Sequence, residues 1–269
     1  MLVKRTISAL IIFIIGLSLI FSGGWIYTVG VTVILACAAW EFIDLFIKGG
    51  YHPNPYLLVL GTVGIMFSAY LDKPVFTSFV YACTIFSILL FTILNYERYE
   101  KTAAFDFTIE MAAVLFITFL GSYLIKIRFL PNGSFWIMIS IIPASIGDIG
   151  AYFAGSLFGK HKLAPKLSPN KTIEGYIGGV FSGILAGYTL GLIARIYVPV
   201  ITVTASILIG SITGILSPLG DLSKSIFKRQ FNRKNTGSII PGHGGILDRI
   251  DTWLWAGPIA YYLIIFFFL

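Results

Sequence analysis

The run GYIGGVFSGILAGYTLGLIARIY, residues 175–197, decides the fold. It carries no charge except Arg195 in its last turn, and its 23 residues exceed the roughly 20 that a membrane helix needs. Strand-like alternation is absent, and a lipid-spanning segment must satisfy its backbone polar groups internally, so the run is expected to be helical. Gly175, Gly179, Gly183, Gly187 and Gly191 recur at every fourth position, which puts them on one stripe. Small stripes let membrane helices approach backbone to backbone. The same spacing appears before it (Gly147, Ala151, Gly155, Gly159) and after it (Ser206, Gly210, Gly214), and predicts a tightly packed bundle.

Similar apolar runs lie near 6–22, 25–46, 56–71, 75–94, 107–127, 135–158, 199–219 and 252–268. With 175–197 they predict an all-α integral membrane protein of about nine transmembrane helices. Composition agrees. Hydrophobic residues make up 57% of the 269-residue chain and charged ones 12%, about half the share usual in soluble domains, and mean hydropathy is +0.89. The opening MLVKR and the apolar run to Phe21 lack a small-residue cleavage site and lead straight into another span, so they are expected to form a retained first helix. Cys37 and Cys83 each lie in an apolar run, which argues against a disulfide scaffold.

Fifteen of the 19 Lys and Arg residues fall in loops on one side of this arrangement, and four (Lys73, Lys126, Arg128, Arg195) on the other. Positive charge collects on the cytoplasmic side. The amino terminus is therefore expected in the cytoplasm and the carboxyl terminus outside. The formal charge of +7 reports this topology, and no nucleic-acid partner is expected. Residues 1–130 are expected to form a scaffold half of five helices, and residues 131–269 a catalytic half of four helices with cytoplasmic loops 159–174 and 220–251. Those two loops can then meet at one membrane face.

Acidic residues inside apolar spans are costly and need a partner or water. Glu41 and Asp44 lie near the cytoplasmic end of the second span and are expected to reach the interface. Glu110 reads equally well as interfacial or functional. Asp148 lies well inside the sixth span, beside Gly147 and Gly150, on a stripe adjoining the small-residue seam, so it is expected to face the bundle interior and to serve function. In loop 159–174, Lys160, Lys162 and Lys166 suit a face near anionic headgroups. Lys171 stands at the entry to the next span, where Thr172 or Asn170 can cap the helix. A lysine beside a helix amino terminus favours phosphate.

Residues 220–251, GDLSKSIFKRQFNRKNTGSIIPGHGGILDRID, concentrate the charge. If the eighth helix continues past Pro218, Asp221, Ser225 and Lys228 share one face, with Arg229 beside them. Asp248 and Asp251 stand three apart, with Arg249 between. Carboxylates on two neighbouring helices, with no cysteine and a lone histidine, suit a hard cation such as Mg²⁺ rather than zinc. Lys228, Arg229, Arg233 and Lys234 suit a phosphate clamp. Gly244 and Gly245 beside His243 suit a close backbone approach and an anion-accepting nest of N–H groups. His243 reads as an acid/base, a phosphate donor or a residue fixing the turn. The plain alternative for the stretch is a salt-bridged juxtamembrane loop.

At these residues the sequence resembles the phosphatidate cytidylyltransferase (CDP-diacylglycerol synthase) family. The family's signature is matched by Ser225-Ile-Phe-Lys228-Arg229, then Lys234-Asn235, then His243-Gly-Gly-Ile-Leu-Asp248-Arg249-Ile-Asp251. Asp148-Ile-Gly-Ala-Tyr152, Ser168-Pro-Asn-Lys171-Thr172-Ile-Glu174-Gly175 and Gly220-Asp221-Leu222 resemble its upstream motifs. The likeness covers residues 135–257, and the first five spans share only hydrophobicity with the family. Asn235 stands where the family usually has aspartate, and offers a neutral oxygen there.

The resemblance implies CTP and phosphatidic acid as substrates, CDP-diacylglycerol and diphosphate as products, and Mg²⁺ as cofactor, alone or with a second cation. It implies metal at Asp221, Asp248 and Asp251, with Asp148 as ligand or neighbour. Lys171, Lys228, Arg229 and Lys234 would hold phosphates, and Ser225, His243, Gly244, Gly245 and Arg249 would line the substrate. A homodimer in the cell membrane, with its active site facing the cytoplasm, is also implied. Two rival readings are a CTP-dependent lipid-alcohol kinase and an ion or phosphate transporter. A CDP-alcohol phosphotransferase is disfavoured, because its D-G-x-x-A-R run is missing. A transporter would place key charges near the midplane in both halves, whereas most of the charge here lies at one face.

Overall fold

The computed structural model describes residues 13–231, 233, 236–237 and 244–269. The first half of the first predicted span, with Lys4 and Arg5, lies outside the described residues, as do Lys234, Asn235 and His243. Helices form where the apolar runs predict them. In chain order they are α1 (Phe13–Ser22), α2 (Gly24–Ile47), α3 (Pro55–Leu71), α4 (Pro74–Leu94) and α5 (Ala103–Phe129). They continue as α6 (Gly133–Phe158), α7 (Ile173–Tyr197), α8 (Val203–Gln230) and α9 (Leu247–Phe267). Seven of these, α2 and α4 to α9, are long and apolar enough to cross a membrane, while α1 and α3 are apolar but shorter. Val75, Phe181 and Ile196 are 84%, 70% and 76% exposed. Outward rings and branched chains on this scale are unfavourable in water and suited to hydrocarbon. The chain is a multi-pass helical membrane protein.

One segment departs from the all-α expectation. Residues 159–174, predicted as a loop, contain a two-stranded antiparallel hairpin, β1 (Lys162–Ala164) and β2 (Ser168–Thr172). Pro165 sets the turn between them, closed by the Leu167 N–H on the Ala164 carbonyl at 3.2 Å. Strands this short, rich in Lys and Pro, carry no readable alternation.

The chain divides into two compact units, one of residues up to Lys126 with Gln230–Arg249, the other of Ile127–Arg229 with Ile250–Leu269. The segment 230–249 thus groups with the first unit. In the first unit Leu35, Phe42 and Ile43 of α2 are buried with Leu58, Ile65 and Met66 of α3. A π-helical stretch of α5, Val114–Phe119, carries the Thr118 hydroxyl that meets Thr62 at 2.8 Å. Asp106 and Glu110 of α5 accept the N–H groups of His52 (2.7 Å) and Asn54 (2.5 Å), so Glu110 ties down the loop before α3. Cys37 and Cys83 are free thiols.

The second unit is built on the glycine stripe of α7. Near its start a Cβ on Gly179 would stand 2.9 Å from the Gly147 carbonyl oxygen of α6. Further along, a Cβ on Gly187 would stand 2.5 Å from the Ser206 carbonyl oxygen of α8. One row of small residues thus serves two partners in turn. Because the obstructing atoms are backbone, Gly187→Val is expected to destabilise the unit by about 1–3 kcal/mol, the usual cost of overpacking. Thermal unfolding of the detergent-solubilised protein measures this, and an unchanged melting temperature would contradict the packing.

Candidate functional site

The site of the second unit begins with a backbone contact. Helix α8 runs unbroken past Pro218, as the shared face of Asp221, Ser225 and Lys228 required. At Gly220 it meets α9 so closely that a Cβ would stand 2.6 Å from the Asp251 carbonyl oxygen. Asp221 is thereby brought to Asp251, and Lys224 joins them. Its Nζ lies 2.9 Å from Asp221 Oδ1 and 2.8 Å from Asp251 Oδ2. Lys171, at the end of the hairpin, places its Nζ 2.8 Å from Asp221 Oδ2. Thr172, the next residue, caps α7 by accepting the Gly175 N–H at 3.1 Å, as its position predicted. Asp221 thus holds two lysines, one from its own helix and one from the hairpin.

Lys224 and Asp251 are buried, their side chains 7% and 5% exposed. The two form an ion pair, and Asp251 Oδ2 is a buried oxygen that no hydroxyl or amide N–H among the described residues reaches. Asp148 of α6 accepts two hydroxyls, Ser217 Oγ of α8 on Oδ1 and Thr252 Oγ1 of α9 on Oδ2, each at 2.8 Å. It lies within electrostatic reach of Lys171 and Asp221. The carboxylate is directed at α8 and α9, as a place facing the bundle interior requires, while the residue as a whole keeps some exposed surface.

Around this cluster Ser225 is buried and donates to the Asp221 carbonyl oxygen at 2.7 Å, and Lys228 is buried on the same face. Arg229 donates from Nε to the Leu167 carbonyl oxygen at 3.0 Å, which fastens the hairpin to α8. The two loops expected to meet at one face do so through this bond and the Lys171–Asp221 pair. At the hairpin's base, Glu174 accepts the N–H groups of Lys160 and His161 and lies 2.6 Å from the His161 ring.

In the first unit Asp248, in the first turn of α9, uses Oδ2 to accept the Thr236 N–H (2.9 Å), the Thr236 hydroxyl (3.0 Å) and, at 3.4 Å, the Gly245 N–H. Gly244 has a φ of 86°, a conformation that favours glycine. Arg249 is exposed. Glu41 does not reach the interface as expected. It is 2% exposed, and its Oε2 accepts the Leu247 N–H at 3.0 Å. The carboxyl group is useful there because α9 begins with an amide that needs an acceptor. Asp44 pairs with Lys48 near the surface, as expected.

Four participants were not assigned to a site from the sequence. Lys224 had a signal, since it stands three residues after Asp221 on the predicted face. Ser217 and Thr252 had none, because hydroxyls in membrane helices commonly bond their own backbone. Glu41 carried only the signal of an acidic residue within a span. Of the carboxylates expected at a metal, the second unit gathers Asp148, Asp221 and Asp251. Among the described residues no three His, Cys, Asp or Glu side chains converge as a ligand set.

Fold and site together define a multi-pass membrane protein that holds a network of lysines and carboxylates at its helix ends. The chain belongs to the cytidylyltransferase family, whose family model matches residues 3–267. It is 36% identical over 186 residues to the phosphatidate cytidylyltransferase of Bacillus subtilis strain 168, covering 67% of this chain and 68% of that protein. It is 32% identical over 273 residues to the phosphatidate cytidylyltransferase of Staphylococcus aureus strain COL, covering 97% and 98% of the two chains. The corresponding protein of Staphylococcus saprophyticus is 31% identical over 266 residues. The likeness therefore runs through the first five helices as well, beyond the 135–257 expected from the motifs.

Proposed function

We propose that this protein is a phosphatidate cytidylyltransferase, transferring the cytidylyl group of CTP to phosphatidate. A phosphatidate oxygen attacks the α-phosphorus of CTP, a P–O bond forms there, and the bond to the bridging oxygen of the β-phosphate breaks to release diphosphate. The single observation that carries this reading is the Lys171–Asp221–Lys224–Asp251 network in a chain whose relatives bear that name over 97% of its length. Two anions must meet, so cations have to neutralise and align them. Lys171 and Lys224 are held in place by carboxylates for that task. Lys228, Arg229 and Lys234 add charge for the triphosphate. A phosphate monoester is already ionised near neutral pH, so no strong base is required, and His243 is assigned to phosphate contact.

Mg²⁺ fits the residues present. Asp221 and Asp251 are hard oxygen donors from two helices that converge on one cation, and Asp251 Oδ2 is buried, with no hydroxyl or amide N–H among the described residues in reach. Mg²⁺ commonly binds through one or two carboxylates plus substrate phosphates rather than an all-protein cage. Bound there, it would neutralise charge on the phosphates. Asp148 completes the proposed acidic set of the second unit, and a metal role for Asp248 rests on the family resemblance. The same proposal includes about nine spans, a cytoplasmic amino terminus and active site, an outer carboxyl terminus, and a homodimer, supported by the loop charge asymmetry and the family resemblance.

Purified protein in detergent, given phosphatidate and CTP labelled on either the α- or the γ-phosphorus, tests the reaction. Label from α-labelled CTP is expected in lipid and γ-label in released diphosphate. Lipid carrying γ-label would indicate a kinase and overturn the proposal. Turnover without any gradient separates an enzyme from a transporter.

A further inference from the structure

We infer that Glu41 of α2 is a positioning residue for cytidylyl transfer, an inference that rests on the function proposed above. It belongs to the half of the chain expected to be scaffold, far in sequence from every other residue assigned to the reaction. Its carboxylate is buried, and Oε2 accepts the Leu247 N–H at 3.0 Å. Leu247 is the first residue of α9, the helix that carries Asp248 and Asp251.

Two glycines are seated directly on that carboxylate. A Cβ on Gly237 would stand 2.3 Å from Glu41 Oε1, and one on Gly245 would stand 2.4 Å from Oε2. Gly245 also offers its N–H to Asp248, and Thr236, next to Gly237, gives Asp248 two further hydrogen bonds. The glycines beside His243 suit a close backbone approach to a ligand, and the group found against Gly245 is the Glu41 carboxyl. The side chain thus holds Gly237 and Gly245, beside the groups that orient Asp248, and it fixes where α9 begins. Glutamine preserves shape and an acceptor oxygen for Leu247. Alanine removes both, and aspartate falls one methylene short.

The test compares Glu41→Ala, Glu41→Asp and Glu41→Gln in the full-length protein, by amide hydrogen exchange and by steady-state turnover. In Glu41→Ala, exchange is expected to accelerate in peptides covering 236–250 and to stay unchanged in α6 and α7. Turnover is expected to fall roughly 10²-fold, the scale of an ångström-level misplacement of reacting groups, with the KM values for CTP and phosphatidate within about twofold. Glu41→Asp should resemble Glu41→Ala, while Glu41→Gln should keep the exchange pattern and most of kcat. Equal acceleration in all helices would overturn the inference in favour of a general core role. Local acceleration with full turnover would overturn it too, and so would a tighter KM with kcat retained, which would mark Glu41 as a competitor for the phosphate site. If wild-type protein transfers no cytidylyl group, the proposed function fails, and the exchange arm still reports whether Glu41 holds the segment.

Discussion

Asp251→Asn is expected to lower turnover by about 10²–10³-fold, the scale seen when one preorganised electrostatic group is removed from an active site, while the protein keeps its fold. Asp251 is buried and faces Lys224 with an oxygen that no hydroxyl or amide N–H among the described residues reaches. The amide occupies the same volume, so packing against Gly220 is preserved. Its neutral amide removes one of the two negative charges that share the Lys224 ammonium, so a cation between Asp221 and residue 251 is held less tightly. Asp221→Asn should have a similar effect, because Asp221 holds both Lys171 and Lys224. Label transfer from α-labelled CTP, run beside a melting curve of each variant, measures both quantities. Full activity in both variants would remove these carboxylates from the mechanism.

Lys224→Met should act on stability as strongly as on rate. Methionine fills the space of the lysine stem but leaves Asp221 and Asp251 without their shared counter-charge. Removing one partner of a buried pair typically costs about 3–5 kcal/mol, because the remaining charge is left uncompensated. Unfolding followed by tryptophan fluorescence in detergent should show a loss of that order, without added divalent ion. Millimolar Mg²⁺ should recover part of it, since an ion that binds only the folded state stabilises by mass action. A variant as stable as wild type would mean that the two carboxylates do not share Lys224 as a counter-ion.

The helices were legible because apolar length is a direct requirement of a bilayer. The four-residue glycine spacing of α7 also predicted close packing, and its two contacts, with Gly147 and with Ser206, are close ones. Asp221 and Lys171 could be picked out because each stands where a helix face or a helix start gives a charge a purpose. Lys224 shares the face of Asp221, but it was absorbed into the cytoplasmic excess of positive charge, where a buried lysine and a surface lysine look alike. Glu41 was hidden for a related reason. Nothing within α2 shows that a glycine pair and a helix start about 200 residues later settle on its carboxylate. Partners that depend on tertiary contact, such as Ser217 and Thr252 on Asp148, leave no periodic trace in the chain.

Asp221 and Asp251 are proposed to hold the divalent cation between them. Crystals of the protein soaked with Mn²⁺, as a heavier substitute for Mg²⁺, test it most directly through anomalous scattering. The account predicts a peak within coordination distance of both the Asp221 and the Asp251 carboxylates, with the Lys224 ammonium displaced from between them. A peak remote from both, with Lys224 still bridging the pair, would contradict it.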